Sequence, residues 1–258
     1  MGIALITGAS EGIGKELATL FAAAGHDVVL VARDQAKLHA VAQSLKKNHG
    51  IQAHVIVQDL GQPHAAETVY RTCQTNGWTI DYLVNNAGFG LLGPFTTTNL
   101  SVEADMITVN VTALTQLTKL FVPHMVASRS GRILQVASLA SFMPGPLMSV
   151  YYATKAYVLS FSEALQQELR GTGVTVTALC PGPTNTKFKH RAKMNNPPHV
   201  DKSALDVRRV AQAGFNGMMK GQTVVIPGLA YRFFVFACRF LPRSWVARIV
   251  HFNQKQRL

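Results

Sequence analysis

The run SLASFMPGPLMSVYYATK, residues 138–155, brings a hydroxyl, a phenol and an ammonium into one short span. Tyr151 and Lys155 are four apart, so on a helix they lie about 40° apart on one face. A phenol ionises near pH ~10 in water, and a fixed ammonium beside it favours the phenolate and lowers that value. Tyr152 is the rival, about 60° from Lys155 on the other side, and spacing barely separates the two. Ser138 follows the strand-like run RILQVA. A hydroxyl at a strand's carboxyl end stands where α/β sheets open to ligands, and can hold a carbonyl oxygen. A tyrosine and lysine at this spacing also decorate ordinary helices, so the pair takes its meaning from what surrounds it.

The groups must be positioned by an alternation of strands and helices. Residues 1–7 form a short apolar run, followed by Gly8-Ala9-Ser10-Glu11-Gly12-Ile13-Gly14 and then by KELATLFAAAG, which has helical periodicity and closes on Gly25. Strand, glycine turn and helix suit a pyrophosphate: glycines let the backbone approach, and the N–H groups of the helix start bind the anion. The spacing is GxxxGxG, not the GxGxxG of the usual dinucleotide fingerprint. HDVVLVAR reads as a buried parallel strand ending at Arg33. An arginine there accommodates a 2′-phosphate where an acid would bind a ribose hydroxyl, which favours NADP(H) over NAD(H). Asp34, next along, is expected to cap the helix QAKLHAVAQSLKKN. IQAHVIVQDL supplies a third strand, with Asp59 either an acceptor for an adenine amine or a helix cap. PHAAETVYRTCQTNG is a helix, and DYLVNNAG, residues 81–88, a fourth strand whose end permits close backbone approach.

A helical pattern from about residue 102 to 128 contains Asn110, a mediocre helix former that is read as a buried hydrogen-bonding residue or as a perturbation holding a water. Pro123 is expected to bend or tighten its last turns. GRILQVAS, a helix over residues 150–170, VTVTALC and QTVVIPG complete the series, with Pro181-Gly182-Pro183-Thr184 ending the sixth strand abruptly. The basic, Pro/Asn-rich stretch 187–200 is a lid over the site or an ordinary surface loop. The expected fold is α/β: a single-domain, Rossmann-type, doubly wound parallel sheet of about seven strands flanked by helices. It spans residues 1–228 and is followed by a C-terminal extension, residues 229–258.

Composition narrows the setting. A chain of 258 residues with 48% hydrophobic content can bury one sizeable core. Cys73, Cys180 and Cys238 form no CxxC pair and are odd in number, which suits a reducing compartment; no metal site is expected. The first residues lack a basic leader and run straight into the glycine turn, so a signal peptide is not expected and the cytoplasm is. The net charge of +12 is entirely C-terminal: residues 1–180 hold 11 Lys/Arg and 11 Asp/Glu, residues 181–258 hold 14 Lys/Arg against Asp201 and Asp206. No nucleic-acid motif accompanies that charge, and no nucleic-acid partner is expected. In LAYRFFVFACRFLPRSWVARIVHF, residues 229–252, arginines interrupt the apolar run well before the roughly 20 residues a bilayer span needs. The tail is therefore an interfacial amphipathic segment touching an anionic membrane, or a helix pair packed on the sheet or on a sister subunit.

Taken together, the motifs resemble the short-chain dehydrogenase/reductase family. TGASEGIG at 7–14, NNAG at 85–88, Asn110, Ser138, YYATK at 151–155 and PGPTNT at 181–186 stand in that family's order, over about residues 1–186. The resemblance implies that Tyr151, rather than Tyr152, is the acid/base and that Lys155 binds the nicotinamide ribose and lowers the Tyr151 pKa. It implies that Ser138 positions the carbonyl and that Asn110 holds a proton-relay water. The implied cofactor, NADP(H), would lie along Gly8, Ser10, Gly12, Ile13 and Gly14, then Arg33 after the second strand and Asp59 and Leu60 after the third. It would continue past Asn86, Ala87 and Gly88 to Tyr151 and Lys155, and to Pro181, Gly182 and Thr184. The implied reaction is hydride transfer between NADP(H) and a carbonyl or secondary alcohol. Phe89, Phe142 and Met148, with Ser138 and Tyr151, are the expected substrate contacts, and their apolar character suits a hydrophobic ketone or a 3-oxoacyl thioester. A steroid- or retinoid-type alcohol is the alternative substrate; an NADPH-binding regulator is the alternative of another class, against which the intact Ser138, Tyr151 and Lys155 speak. The family often forms dimers or tetramers through the helices that here carry Asn110 and Tyr151.

Overall fold

The first two expected strands are apolar on both sides, and the computed structural model, which describes residues 1–192, 194–195 and 204–258, shows why. Successive strand residues point to opposite faces of the sheet. Ala4 and Ile6 of β1 (Ile3–Thr7) enter one core while Leu5 enters the other, and Val28 and Leu30 of β2 (Asp27–Ala32) part in the same way from Val29 and Val31. A strand buried on both faces must be hydrophobic throughout.

The other strands are β3 (Ala53–Val57), β4 (Ile80–Asn85), β5 (Gly131–Val136), β6 (Val174–Leu179) and β7 (Val224–Val225). All pair in parallel in the order β3-β2-β1-β4-β5-β6-β7. β7 is shorter than expected, and Pro227, which lacks an N–H, follows it. Helices α1 (Gly12–Ala23) and α2 (Gln35–His49) cover one face, with Leu17, Phe21 and Val41 in its core. Helix α3 (Ala65–Thr75) covers the other through Val69 and Cys73.

The long helix expected over 102–128 starts earlier, at a cap formed by Asn99, and is not uniform. It runs as α4 (Leu100–Ile107), a π-type widened turn (Thr108–Ala113) that holds Asn110, and α5 (Leu114–Ala127), which continues through Pro123. α6 (Ser149–Glu168) carries Tyr151 and Lys155 on its first turns. After β6 come the short α7 (Phe188–Arg191), α8 (Val207–Met219), α9 (Leu229–Cys238) and α10 (Arg243–Lys255). The segment expected as a lid or loop is thus a short helix at its start; Lys193 and residues 196–203 lie outside the described residues.

The chain order reverses at β1, which has β2 on one side and β4 on the other. A doubly wound sheet opens at the carboxyl ends of the strands at such a switch point, and ligands bind there. Asp34 caps α2 as expected, its carboxylate accepting the Lys37 N–H at 3.0 Å. Asp59 caps no helix: α3 begins six residues later, and the Asp59 carboxylate accepts the Gly61 N–H at 3.0 Å within a turn.

Candidate active site

At the switch point the ends of β1 and β4 are tied together by a residue that spacing did not single out. Thr7 Oγ1 accepts the N–H groups of Asn86 and Ala87, at 2.9 and 3.0 Å, while Asn86 Nδ2 donates to the carbonyls of Thr7 and Gly8. Above this stitch lies a cleft of about 510 Å³, within the range of small-molecule sites. It runs from Ser10 and Arg33 at one end, past Asp59, Leu60 and Ala87, to Ser138, Tyr151 and Phe188 at the other.

Most of the expected cofactor residues line this cleft: Gly8, Gly12, Ile13, Asn86, Gly88, Lys155, Pro181, Gly182 and Thr184 besides those just named. Gly14 does not. A Cβ there would stand 2.3 Å from the Gly8 carbonyl oxygen, so this glycine lets α1 start directly beneath the turn, and its role is packing rather than contact. Phe142 also leaves the site. It is turned toward the contact between Met143 and the C-terminal helix, with Val246 and Val250. Phe89 and Met148 remain in the wall.

Whether a dinucleotide fits can be judged from the donors. The α1 N-cap, Glu11, makes no side-chain cap and the first turn holds no acid, while Gly12 and Ile13 line the cleft. The N–H groups of the helix start are therefore left for an anion, as a pyrophosphate requires. At the β2 end Arg33 and Lys37 both line the cleft; Arg33 is 3.7 Å from the Asp59 carboxylate and its side chain is 67% exposed. That pair of cations suits a phosphate on the ribose.

At the other end, the Tyr151 phenol is hydrogen-bonded to the Ser138 hydroxyl, whose Oγ also accepts the Ala140 N–H at 3.1 Å. The ring is buried against Tyr152 and Phe188. Burial pushes the phenol up to about 12, with the Ser138 hydrogen bond pulling it back only in part. The expected lowering by Lys155 is not seen: burial and Ser138 set the balance. The Lys155 ammonium is turned to the Val136 carbonyl, 2.7 Å away, and being 5% exposed it is itself lowered to about 8 by burial. Desolvation opposes charge on both groups and is the largest cause of each shift.

Tyr152 is separated from Tyr151 by its partner. Its hydroxyl accepts a hydrogen bond from Gln254 Nε2 of α10 at 2.8 Å, and Arg257 Nη1 donates to Gln254 Oε1 at 3.1 Å. Gln254 and Arg257 both line the cleft, and nothing local marks either one.

Asn110 is fully buried behind the wall rather than in it. Its Oδ1 accepts the Phe89 N–H at 3.1 Å, and its Nδ2 donates to the Phe89 carbonyl and to Thr154 Oγ1 at 2.9 and 3.1 Å. The amide thus clasps the loop after β4 to α6, and both of its donors are used. Across the cleft, Glu11 of the glycine turn pairs with Arg191 at 3.3 Å and Lys187 at 3.8 Å, drawing the start of the 187–200 segment over the site.

Known proteins are similar to this chain in sequence and in fold. Residues 2–197 match the short chain dehydrogenase family. A very-long-chain 3-oxoacyl-CoA reductase of Anas platyrhynchos is 32% identical over 98% of this chain and 80% of its own length. A protein of the same name from Phaeosphaeria nodorum is 36% identical over 67% of this chain, and the match spans 52% of that relative. Among solved structures, a short-chain dehydrogenase from Sphingobium yanoikuyae in complex with NADPH superposes with a TM-score of 0.83 at 35% identity, covering 92% of each chain. The motif order, the parallel sheet and these matches agree: the chain belongs to the short chain dehydrogenase family of oxidoreductases.

Proposed function

We propose that the protein is an NADP(H)-dependent reductase of hydrophobic 3-oxoacyl thioesters. The observation that carries this reading is the pairing, within one cleft, of an uncapped helix start beside Arg33 with a buried Tyr151–Ser138 hydrogen bond. Arg33 and Lys37 would hold the 2′-phosphate, the first turn of α1 the pyrophosphate, and Lys155 the nicotinamide ribose. When bound, the cofactor supplies the hydride for the carbonyl carbon.

Ser138 donates a hydrogen bond to the substrate carbonyl oxygen and so places it against the Tyr151 phenol. As the carbon is reduced, charge builds on that oxygen, and Tyr151 gives it the proton. A phenol held near 12 stays protonated through neutrality, which suits proton donation and hence the reductive direction. Both amide donors of Asn110 are engaged, so a relay water here falls to the main chain of the widened turn.

Phe89, Met148, Phe188 and Met194 give the acyl chain an apolar wall, while Lys189, Arg191 and Arg257 line the same cleft and match the phosphates of a coenzyme A thioester. The names of the two relatives support this substrate class. Residues 229–258 complete the catalytic unit of residues 1–228, because Val246, Val250 and Gln254 close the wall behind Tyr152. The protein assembles as a homodimer or homotetramer through α4, α5 and α6, where Leu100, Ile107 and Tyr157 are exposed. Among the described residues no helix is long and apolar enough to cross a membrane, and we place the protein in the cytoplasm with peripheral membrane contact.

The test is NADPH oxidation, with NADH as control, across 3-oxoacyl thioesters, hydrophobic ketones and steroid ketones, wild type beside Tyr151→Phe. Turnover of the thioesters that the variant loses, with cofactor binding kept, is the expected result. Thioesters left untouched while a steroid ketone is reduced would overturn the substrate class. NADPH binding with no carbonyl reduced would make the protein a regulator.

A further inference from the structure

The two C-terminal helices carry apolar stripes on the surface. On α9, Leu229, Phe233 and Phe236 follow an i, i+4, i+7 spacing, which keeps them within about 60° on one face, and Phe240, in the turn after the helix, extends the stripe by stacking edge-on against Phe236. They are 55–81% exposed. On α10, Trp245, Ile249 and Phe252 repeat the i, i+4, i+7 spacing and are 49–66% exposed. The opposite side of α10 is buried: Val246 and Val250 pack on Met143, and Gln254 bonds Tyr152. These helices are therefore fixed to the body by one face and present the other. With side chains of roughly 200 Å² each, the α9 stripe alone exposes on the order of 500 Å², near the upper end of what a monomeric surface carries.

The charge around the stripes identifies what they meet. Arg232, Arg239 and Arg248 each precede a stripe residue, Phe233, Phe240 and Ile249, and are exposed at its flank. Residues 207–258 contain nine Lys/Arg and no Asp or Glu. In a two-fold pairing of copies each patch meets itself, which would set arginine against arginine. A lipid surface with anionic headgroups complements both features, phosphates against the guanidinium groups and acyl-chain boundary against the aromatic rings. The helices have 10 and 13 residues, or about 15 and 20 Å of length against a hydrocarbon core of ~30 Å, so they lie on the bilayer and do not span it.

We propose that the exposed faces of α9 and α10 form a docking surface for a bilayer containing anionic lipid. This gives the peripheral contact of the proposed function a defined surface and partner, and it stands whether or not the substrate is an acyl thioester. Because α10 has its other face against Tyr152, docking sets the membrane directly behind the wall of the cleft.

The experiment is co-sedimentation of the full chain with vesicles of phosphatidylcholine alone and of phosphatidylcholine mixed with phosphatidylglycerol. Phe233→Ser/Phe240→Ser and Arg232→Gln/Arg239→Gln are compared with wild type, all at exposed positions outside the cleft, with circular dichroism to verify folding. Wild type is expected on the mixed vesicles and about tenfold or more weaker on phosphatidylcholine alone; each double variant is expected to lose about tenfold or more, and the arginine variant also most of the salt dependence. Wild type that stays in the supernatant, or folded variants that sediment as wild type does, would overturn the proposal. So would a Phe variant that dissociates an oligomer in sedimentation velocity while vesicle binding is unchanged, which would assign the stripes to a second copy. Sedimentation with vesicles involves no turnover, so a failure of the reductase reading leaves this result intact, and the reverse.

Discussion

Replacing Lys155 by Met should make the ligand-free protein more stable and less dependent on pH, although it removes a group central to the site. The ammonium is 5% exposed, donates to the Val136 carbonyl and is lowered from 10.5 to about 8 by burial. A lysine whose folded pKa lies below its unfolded value binds fewer protons when folded. The penalty is therefore complete below pH ~8 and is relieved as pH climbs toward ~10.5. At about 1.4 kcal/mol per pKa unit, the shift corresponds to ~3 kcal/mol at pH ~7 and to ~1 kcal/mol at pH ~9.5. Met fills much the same volume but leaves the Val136 carbonyl unpaired, which costs about 1–2 kcal/mol at any pH. The net expectation is a gain of ~1–2 kcal/mol for Lys155→Met near pH ~7 that shrinks by ~2 kcal/mol, to nothing or a small loss, by pH ~9.5. Urea unfolding of both proteins at the two pH values measures it, and other titrating groups cancel in the difference. A stability difference that is the same at both pH values would refute the reasoning, because it would mean that the ammonium is not strained by burial. Strain of this kind is what a binding site stores for its ligand.

Four further outcomes follow from the geometry. Tyr151→Phe removes the only proton that the mechanism draws on, so turnover should fall at least ~100-fold while the NADPH dissociation constant, read by fluorescence, changes little. Arg33→Asp should raise the NADPH dissociation constant by about 10–100-fold and leave that of NADH nearly unchanged, and equal changes would remove the 2′-phosphate assignment. Gln254→Leu unties the Tyr152 hydroxyl from α10 and should raise KM for long-chain substrates more than it lowers kcat, which steady-state kinetics with short and long ketones would show. Gly14→Ala drives a Cβ into the Gly8 carbonyl, so a loss of ~1–3 kcal/mol is expected in thermal or urea unfolding.

Strands and helices were legible because their causes are local. The continuous apolar runs of β1 and β2 follow from burial on both faces, and Gly50, in a left-handed conformation after α2, closes a helix whose period is plain in QAKLHAVAQSLKKN. Asp34 as the α2 cap needed only its neighbour Lys37. The widened turn at Asn110 was only half legible: TVNVTA is poor in strong helix formers and Asn110 was read as a buried hydrogen-bonding residue or a perturbation of the helix, but its partners Phe89 and Thr154 lie far away in the chain. Phe142 was expected in the cleft as an apolar residue near Ser138, but an apolar side chain packs wherever a partner stands, and the partners here are on α10.

The sequence by itself determined the order of strands and helices, the glycine turn, the cation after β2 and the hydroxyl, phenol and ammonium of the site, since each depends on residue type and short spacing. Only the tertiary structure decided how burial shifts these groups and which partner each phenol takes. The electrostatics of Tyr151 and Lys155 follow from how much water the fold leaves around them, and burial reversed the lowering of the Tyr151 pKa expected from spacing. The Tyr152 hydroxyl is bonded by Gln254, 102 residues along the chain, a contact that no local pattern encodes because it exists only once α10 is folded against the cleft.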